Sequence, residues 1–193
     1  VPVVVLPIKF NPLGKEFDNW LLPRLPIPSP PPPPLLLGFV FVSVFFGGGL
    51  NKSVKAFQIG GPLGGVVPTK EIDNLNLDFQ EFTAAGFMLG HASVVSIPSD
   101  FNMVDYIHHL FEFTAEESCG KCFPGRLGSY RGKEMFDQVK NKSAKIPLKL
   151  LNELLITMKK GCLCALCGAI PTPIMNILKY FGHEMKDDMV KEN

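Results

Sequence analysis

The stretch EESCGKCFPGRLG, residues 116–128, decides how the chain is read. Cys119 and Cys122 form a Cys-x2-Cys pair, followed at once by Phe123 and Pro124. A third cysteine at position 125 would complete an iron–sulfur loop, but that position is glycine. The other three cysteines, Cys162, Cys164 and Cys167, form a second tight group 40 residues downstream of the first. Thiols gathered in two clusters fit metal ligation in a reducing compartment better than a disulfide framework, whose cysteines are usually spread along a shorter secreted chain.

Helical patterns surround these groups. A helix is expected over about Phe101–Thr114, capped by Ser99 or Asp100. A second is expected after the first cysteine loop, roughly Gly128–Val139. The third starts near Pro147, carries the apolar stripe Leu148, Leu151, Leu154, Leu155 and Met158, and ends with Lys159, Lys160 and Gly161. A fourth begins after Pro171 or Pro173 and runs through Phe181 to Gly182. One cysteine group precedes the second helix and the other follows the third, so an antiparallel pairing of those helices would bring the two groups together.

Upstream the pattern is strand-like. Ser53–Ile59 and HASVVSIP (91–98) read as strands, and GGPLGG (60–65) as a glycine turn. As a phosphate cradle GGPLGG lacks the strand-to-helix setting and the acidic partner that such a loop requires. The first 49 residues differ from the rest. They hold eleven of the 18 prolines, ending in the run Pro30–Pro34, which reads as an extended spacer. LLLGFVFVSVFF (35–46) reads as a buried strand, since its 12 residues fall short of the roughly 20 that span a bilayer. The expected architecture is therefore α+β: a proline-rich, apolar region (1–49), a small β-rich segment (50–98), a four-helix metal-binding domain (99–185) and a charged, frayed tail (186–193).

Composition excludes some functions and leaves others open. In the 193-residue chain 19 basic residues face 18 acidic ones, so no general charge draws nucleic acid or an anionic membrane. The apolar fraction of 46% is that of a globular protein. Lys121, Arg126, Arg131 and Lys133 gather around the first cysteine loop, either to offset the charge of a thiolate-ligated centre or as a solvated face, and Glu116 and Glu117 partly cancel them. His108 and His109 fall mid-helix, one toward the core and one toward solvent; His91 and His183 read as surface or loop residues. No paired carboxylates or nucleophile–base constellation stands out. Cys119-x2-Cys122 with Cys164-x2-Cys167 is also a four-cysteine zinc pattern, although 41 residues separate the pairs.

ESCGKC (117–122) with Pro124, Arg126 and Gly128 resembles the cluster loop of the flavoprotein, NADH-binding subunit of respiratory complex I, a module shared with NAD-linked hydrogenases and formate dehydrogenases. AFQIGGPLGG (56–65), LDFQEFTAAGFMLGHASVV (77–95), MVD (103–105) and TMKKGCLCALCGAIPTPI (157–174) are similar to further blocks of that family in the same order, so the resemblance covers about residues 50–185. It implies a [4Fe–4S] cluster that relays electrons from a flavin (FMN) reduced by NADH. It maps Cys119, Cys122 and Cys164 onto cluster ligands and places the remaining ligand at Gly125. Where this chain has Cys162 and Cys167 the family usually has serine and glycine, so either thiol is a candidate for the missing corner, with Cys167 favoured by its two-residue spacing from Cys164. The alternatives are a redox-silent zinc-stabilised interaction module (Cys119, Cys122, Cys164, Cys167) and a degenerate fragment. The family's flavin and NADH domain is not evident in this chain, so it is not expected to be catalytic alone. The resemblance further implies a thioredoxin-like [2Fe–2S] subunit and a larger iron–sulfur subunit as partners, and a cytoplasmic location or a peripheral one on the inner face of an energy-transducing membrane.

Overall fold

The computed structural model describes residues 50, 52–76, 78–91 and 93–190. The spacer and the strand expected within 1–49 lie outside the described residues.

The fold is α+β, a small sheet followed by a helical bundle. β1 (Val54–Ile59) pairs antiparallel with both β2 (Gly65–Pro68) and β3 (Val94–Pro98), giving the order β2-β1-β3. GGPLGG closes the β1–β2 hairpin, with Gly60 at φ +100° and Gly61 at φ +83°. It is the turn that the sequence suggests, and only glycine enters that region without strain. A 3-10 turn (Thr69–Asn74) and a short helix α1 (Phe79–Ala84) fill the connection to β3. Helix α1 was not apparent from the sequence. It is started by Asp78, whose carboxylate accepts from the N–H groups of Gln80 and Glu81 at 2.8 and 3.0 Å.

The bundle comprises α2 (Met103–Glu117), α3 (Phe123–Lys140), α4 (Leu148–Gly161), the short α5 (Ala165–Ala169) and α6 (Pro171–Phe181). The cap of α2 is Asn102, which accepts from Val104 N–H at 2.7 Å, and not Ser99 or Asp100 as expected. Helix α3 starts five residues earlier than expected, immediately after Cys122, because Pro124 is tolerated in a first turn where no N–H partner is needed. Helices α4 and α6 begin and end close to the expected places. The tail is not frayed throughout: Gly182–Asp188 forms a 3-10 turn, and β5 (Met189–Val190) pairs in parallel with β4 (Ile146–Pro147). Burial of Met185 and the Lys55–Glu184 ion pair at 2.5 Å tie it down.

Alternation along β1 divides the apolar residues. Ala56, with Val66 and Ile97, joins the main core built by Ile107, Phe111, Phe136, Leu151, Leu155 and Ile174. Phe57 and Ile59 face a smaller cluster with Val67, Ile72, Phe82 and Phe87. Polar contacts join sheet and bundle. The Tyr106 hydroxyl donates to Gln58 Oε1, and Asn176 accepts from Val66 N–H at 3.3 Å while donating to the Gly86 carbonyl at 2.9 Å.

Helices α2 and α3 run antiparallel in fixed register. Lys140 pairs with Asp105 at 3.3 Å, His108 with Asp137 at 2.7 Å and Lys133 with Glu112 at 2.8 Å, each step along one helix matched by a step back along the other. Gly132 lets α3 close against the Phe111 ring. Helices α3 and α4 are antiparallel as well, since Gly128 packs on Met158 and Leu154, and Pro124 packs on Gly161. That is the antiparallel pairing expected to bring the two cysteine groups together.

Candidate metal centre

Four helix ends meet at one corner of the bundle. Ser118 caps the C-terminus of α2 and Cys122 is the N-cap of α3. Cys162 caps the C-terminus of α4, and Cys164 is the N-cap of α5. The loops between these ends are short because the register of α2 on α3, and of α3 on α4, leaves little chain to spare.

Each helix start presents the same two positions. In α3 the N-cap is Cys122 and the third helical residue is Gly125; in α5 the N-cap is Cys164 and the third helical residue is Cys167. Side chains at an N-cap and at the third residue lie on one side of the first turn, which is why they exchange hydrogen bonds in capping boxes. Cys164 and Cys167 therefore act as a unit, as Cys122 and residue 125 would. A Cβ on Gly125 would stand 2.8 Å from Cys122 Sγ, 2.9 Å from Cys167 Sγ and 3.2 Å from Cys167 Cβ. The Cys167 thiol thus occupies the volume that a side chain at position 125 would take.

The thiols differ in surroundings. Cys119 and Cys164 are exposed; Cys122 and Cys167 are buried at 8% and 2% exposure. The backbone N–H groups of Leu163 and Gly125 are turned toward Cys122 Sγ and hold that thiol below its ordinary range. Cys162 lies against Cys122. Burial first, then the neighbouring sulfurs, push its thiol up to about 12. Burial also raises Cys167, and the Ser118 hydroxyl, 3.7 Å from its sulfur, pulls the other way. Leu163, between Cys162 and Cys164, is thrown outward and is 84% exposed.

Among the described residues no three His, Cys, Asp or Glu side chains converge closely enough to hold a single metal ion. The N-terminus of α3 also directs partial positive charge at the corner, which favours a thiolate over a thiol.

Around this corner the basic residues divide. Arg131 pairs with Glu134 at 3.2 Å and Lys133 with Glu112, so these two face other partners. Arg126 remains at the loop, its stem beside Gly120 and its guanidinium over the Phe123 ring at 5.8 Å, and Lys121 is exposed. His108 is buried and held by Asp137, and His109 is exposed, in keeping with the expectation of one inward and one outward ring. His91 and His183 are exposed. Sequence reasoning passed over Ser118, whose hydroxyl meets Cys167 across 49 residues, and no local pattern marks it.

Residues 105–188 match the family model described as the NADH-ubiquinone oxidoreductase-F iron-sulfur binding region. The chain is 35% identical over 141 residues to the NADP-reducing hydrogenase subunit HndC of Solidesulfovibrio fructosivorans, an alignment covering 72% of this chain and 29% of that protein. It is 29% identical over 136 residues to the mitochondrial NADH dehydrogenase (ubiquinone) flavoprotein 1 of Dictyostelium discoideum, covering 70% of this chain and 28% of the relative. A crystal structure of an NAD+-reducing [NiFe]-hydrogenase shares the fold at a TM-score of 0.66 and 20% identity, over 78% of this chain and 26% of the other. The chain thus spans under a third of the length of these relatives. No helix among the described residues is long and apolar enough to cross a membrane.

Proposed function

We propose, for a chain whose residues 105–188 belong to the NADH-ubiquinone oxidoreductase-F iron-sulfur binding family, that the thiol corner holds a [4Fe–4S] cluster and relays single electrons within a larger oxidoreductase. The relatives it is homologous to are subunits of NADH:quinone oxidoreductases and of hydrogenases linked to nicotinamide cofactors. The observation that carries the reading is a family match that spans both cysteine loops, on a fold whose α3 and α5 starts bring Cys122 and Cys167 to either side of Gly125.

In this reading Cys119, Cys122, Cys164 and one further thiolate of the second loop are the ligands. Such a cluster supplies reversible one-electron storage, with a potential set by charge, solvent exposure and hydrogen bonds to its sulfurs. The protein's part is positional. The α3 and α5 starts fix their thiols, the N–H groups of Leu163 and Gly125 face a ligand sulfur, and Arg126 adds positive charge beside the loop. The N–H groups and the guanidinium favour the extra electron and raise the potential. Exposed Cys119 and Cys164 leave one side of the corner open toward solvent, where a partner could approach for transfer. Flavin binding and NADH oxidation form no part of what is proposed for this chain alone. Partners of the expected kind are a thioredoxin-like [2Fe–2S] subunit and a larger iron–sulfur subunit.

The test is metal and acid-labile sulfide analysis of protein purified without oxygen, with a reduced-state EPR spectrum. About four irons and four sulfides with a reduced-state signal support the relay. One zinc without sulfide replaces it with a structural module, and neither metal rejects both.

A further inference from the structure

If the corner holds a cluster, which thiol fills the position that Gly125 leaves without a donor? Two candidates stand close. Cys162 and Cys164 cap the neighbouring ends of α4 and α5, with the exposed Leu163 between them. Spacing alone therefore does not separate Cys162 from Cys167.

The packing does. The sulfur of Cys167 is 2.9 Å from the point where a Cβ of residue 125 would be, a point that Cys122 Sγ also approaches to 2.8 Å, and the residue is only 2% exposed. The third residue of α5 has moved its side chain into the slot of the third residue of α3. Gly125 and Cys167 are thus a reciprocal pair: a side chain at 125 and a thiol at 167 compete for one volume, and the absence of the first admits the second. Ser118, hydrogen-bonded to Cys167 at 3.7 Å, braces the sulfur from the end of α2.

We infer that Cys167 supplies the fourth thiolate, replacing a donor at position 125 across the α3–α5 contact, and that Cys162 is not a ligand. This rests on the cluster reading above. The residues are interchangeable in function because the two helix starts meet face to face, so the thiol can be presented from either.

The experiment compares the full chain and its variants purified without oxygen, by iron and sulfide content, visible absorption and reduced-state EPR. Cys162→Ser is expected to keep the wild-type iron content and spectrum. Cys167→Ser is expected to lose at least one iron in four and with it the reduced-state EPR signal, a three-iron form showing its own signal only when oxidised. The exchange variant Gly125→Cys/Cys167→Gly is expected to keep the full iron complement, whereas Gly125→Cys alone is less thermally stable than the exchange variant because two side chains then contend for one slot. That comparison of melting temperatures is made on metal-free protein, so it tests the reciprocal packing without a cluster. Wild-type iron and EPR in Cys167→Ser, or loss of iron in a folded Cys162→Ser, overturns the assignment while leaving the relay intact. Wild-type protein devoid of iron and sulfide overturns the relay and this assignment together. Equal melting of Gly125→Cys and the exchange variant overturns the reciprocal packing.

Discussion

Replacing Gly132 with alanine tests whether close packing, and not helix propensity, sets the distance between α2 and α3. The glycine lies mid-helix, where alanine is favoured by about 1 kcal/mol. An added Cβ, however, would fall inside contact distance of the Phe111 ring edge and 2.5 Å from its Cζ. The ring cannot swing away: Phe111 is fully buried, and Phe136 holds it with ring centroids 5.9 Å apart. Forcing a methyl into a packed core costs about 1–3 kcal/mol. Overpacking is therefore expected to exceed the gain in propensity, leaving Gly132→Ala less stable by about 1 kcal/mol. Urea unfolding followed by circular dichroism reads this as a lower midpoint, and thermal melting as a fall of about 2–4 °C. The double variant Gly132→Ala/Phe111→Leu, with the ring edge removed, is expected to be more stable than the sum of its single changes by at least about 0.5 kcal/mol. A Gly132→Ala protein at least as stable as the parent would refute the close-packing account, and with it the view that helix register positions Ser118 and Cys122.

Other perturbations probe the joints. Asn176→Ala leaves Val66 N–H and the Gly86 carbonyl without their partner, and a loss of about 2 kcal/mol or more is expected in equilibrium unfolding. Burial pushes the Tyr106 phenol above its ordinary value of 10.0, so the folded state favours the neutral form. Its contribution is complete below pH 10 and falls as pH rises beyond that value, so wild-type stability should drop on the alkaline side. Tyr106→Phe should lose that alkaline slope while costing about 1 kcal/mol at neutral pH through the unpaired Gln58 oxygen. Lys55→Met removes the contacts to the Phe101 carbonyl (2.8 Å) and Glu184, and hydrogen exchange should then accelerate selectively over residues 182–190.

What the sequence revealed depended on range. Leu148, Leu151, Leu155 and Met158 announce α4 through a local period, and Pro147 and Gly161 mark its ends, so that helix is legible from its own residues. Helix α1 is too short to show a period, and Asp78 is its only clear sign. The tail reads as charged and loose because its anchors are remote: Glu184 meets Lys55 across 129 residues, and β5 pairs with β4. The cysteine groups could be paired from the expected helix order, but the contact between Gly125 and Cys167 could not. It depends on how two helix starts abut, a matter of three-dimensional packing that linear spacing does not encode. Ser118 and Asn176 escaped notice for the same reason, each acting on a distant segment through one side chain.

The ladder of pairs between α2 and α3 also governs which parts of the chain can change length. With Asp105 set against Lys140 and Glu112 against Lys133, both helices are clamped along their length, so the segment 118–122 has a prescribed span. One inserted residue there would have to bulge between fixed posts and would rotate Cys119 away from Cys122. Residues 141–145 are all exposed and join α3 to β4. The first of them bond back to Val139 and Gln138, so added length belongs after Ala144, where doubling a loop adds only about 0.6 kcal/mol of closure entropy. Insertions and fused tags belong in that outer turn, while the inner one behaves as a spacer of set gauge.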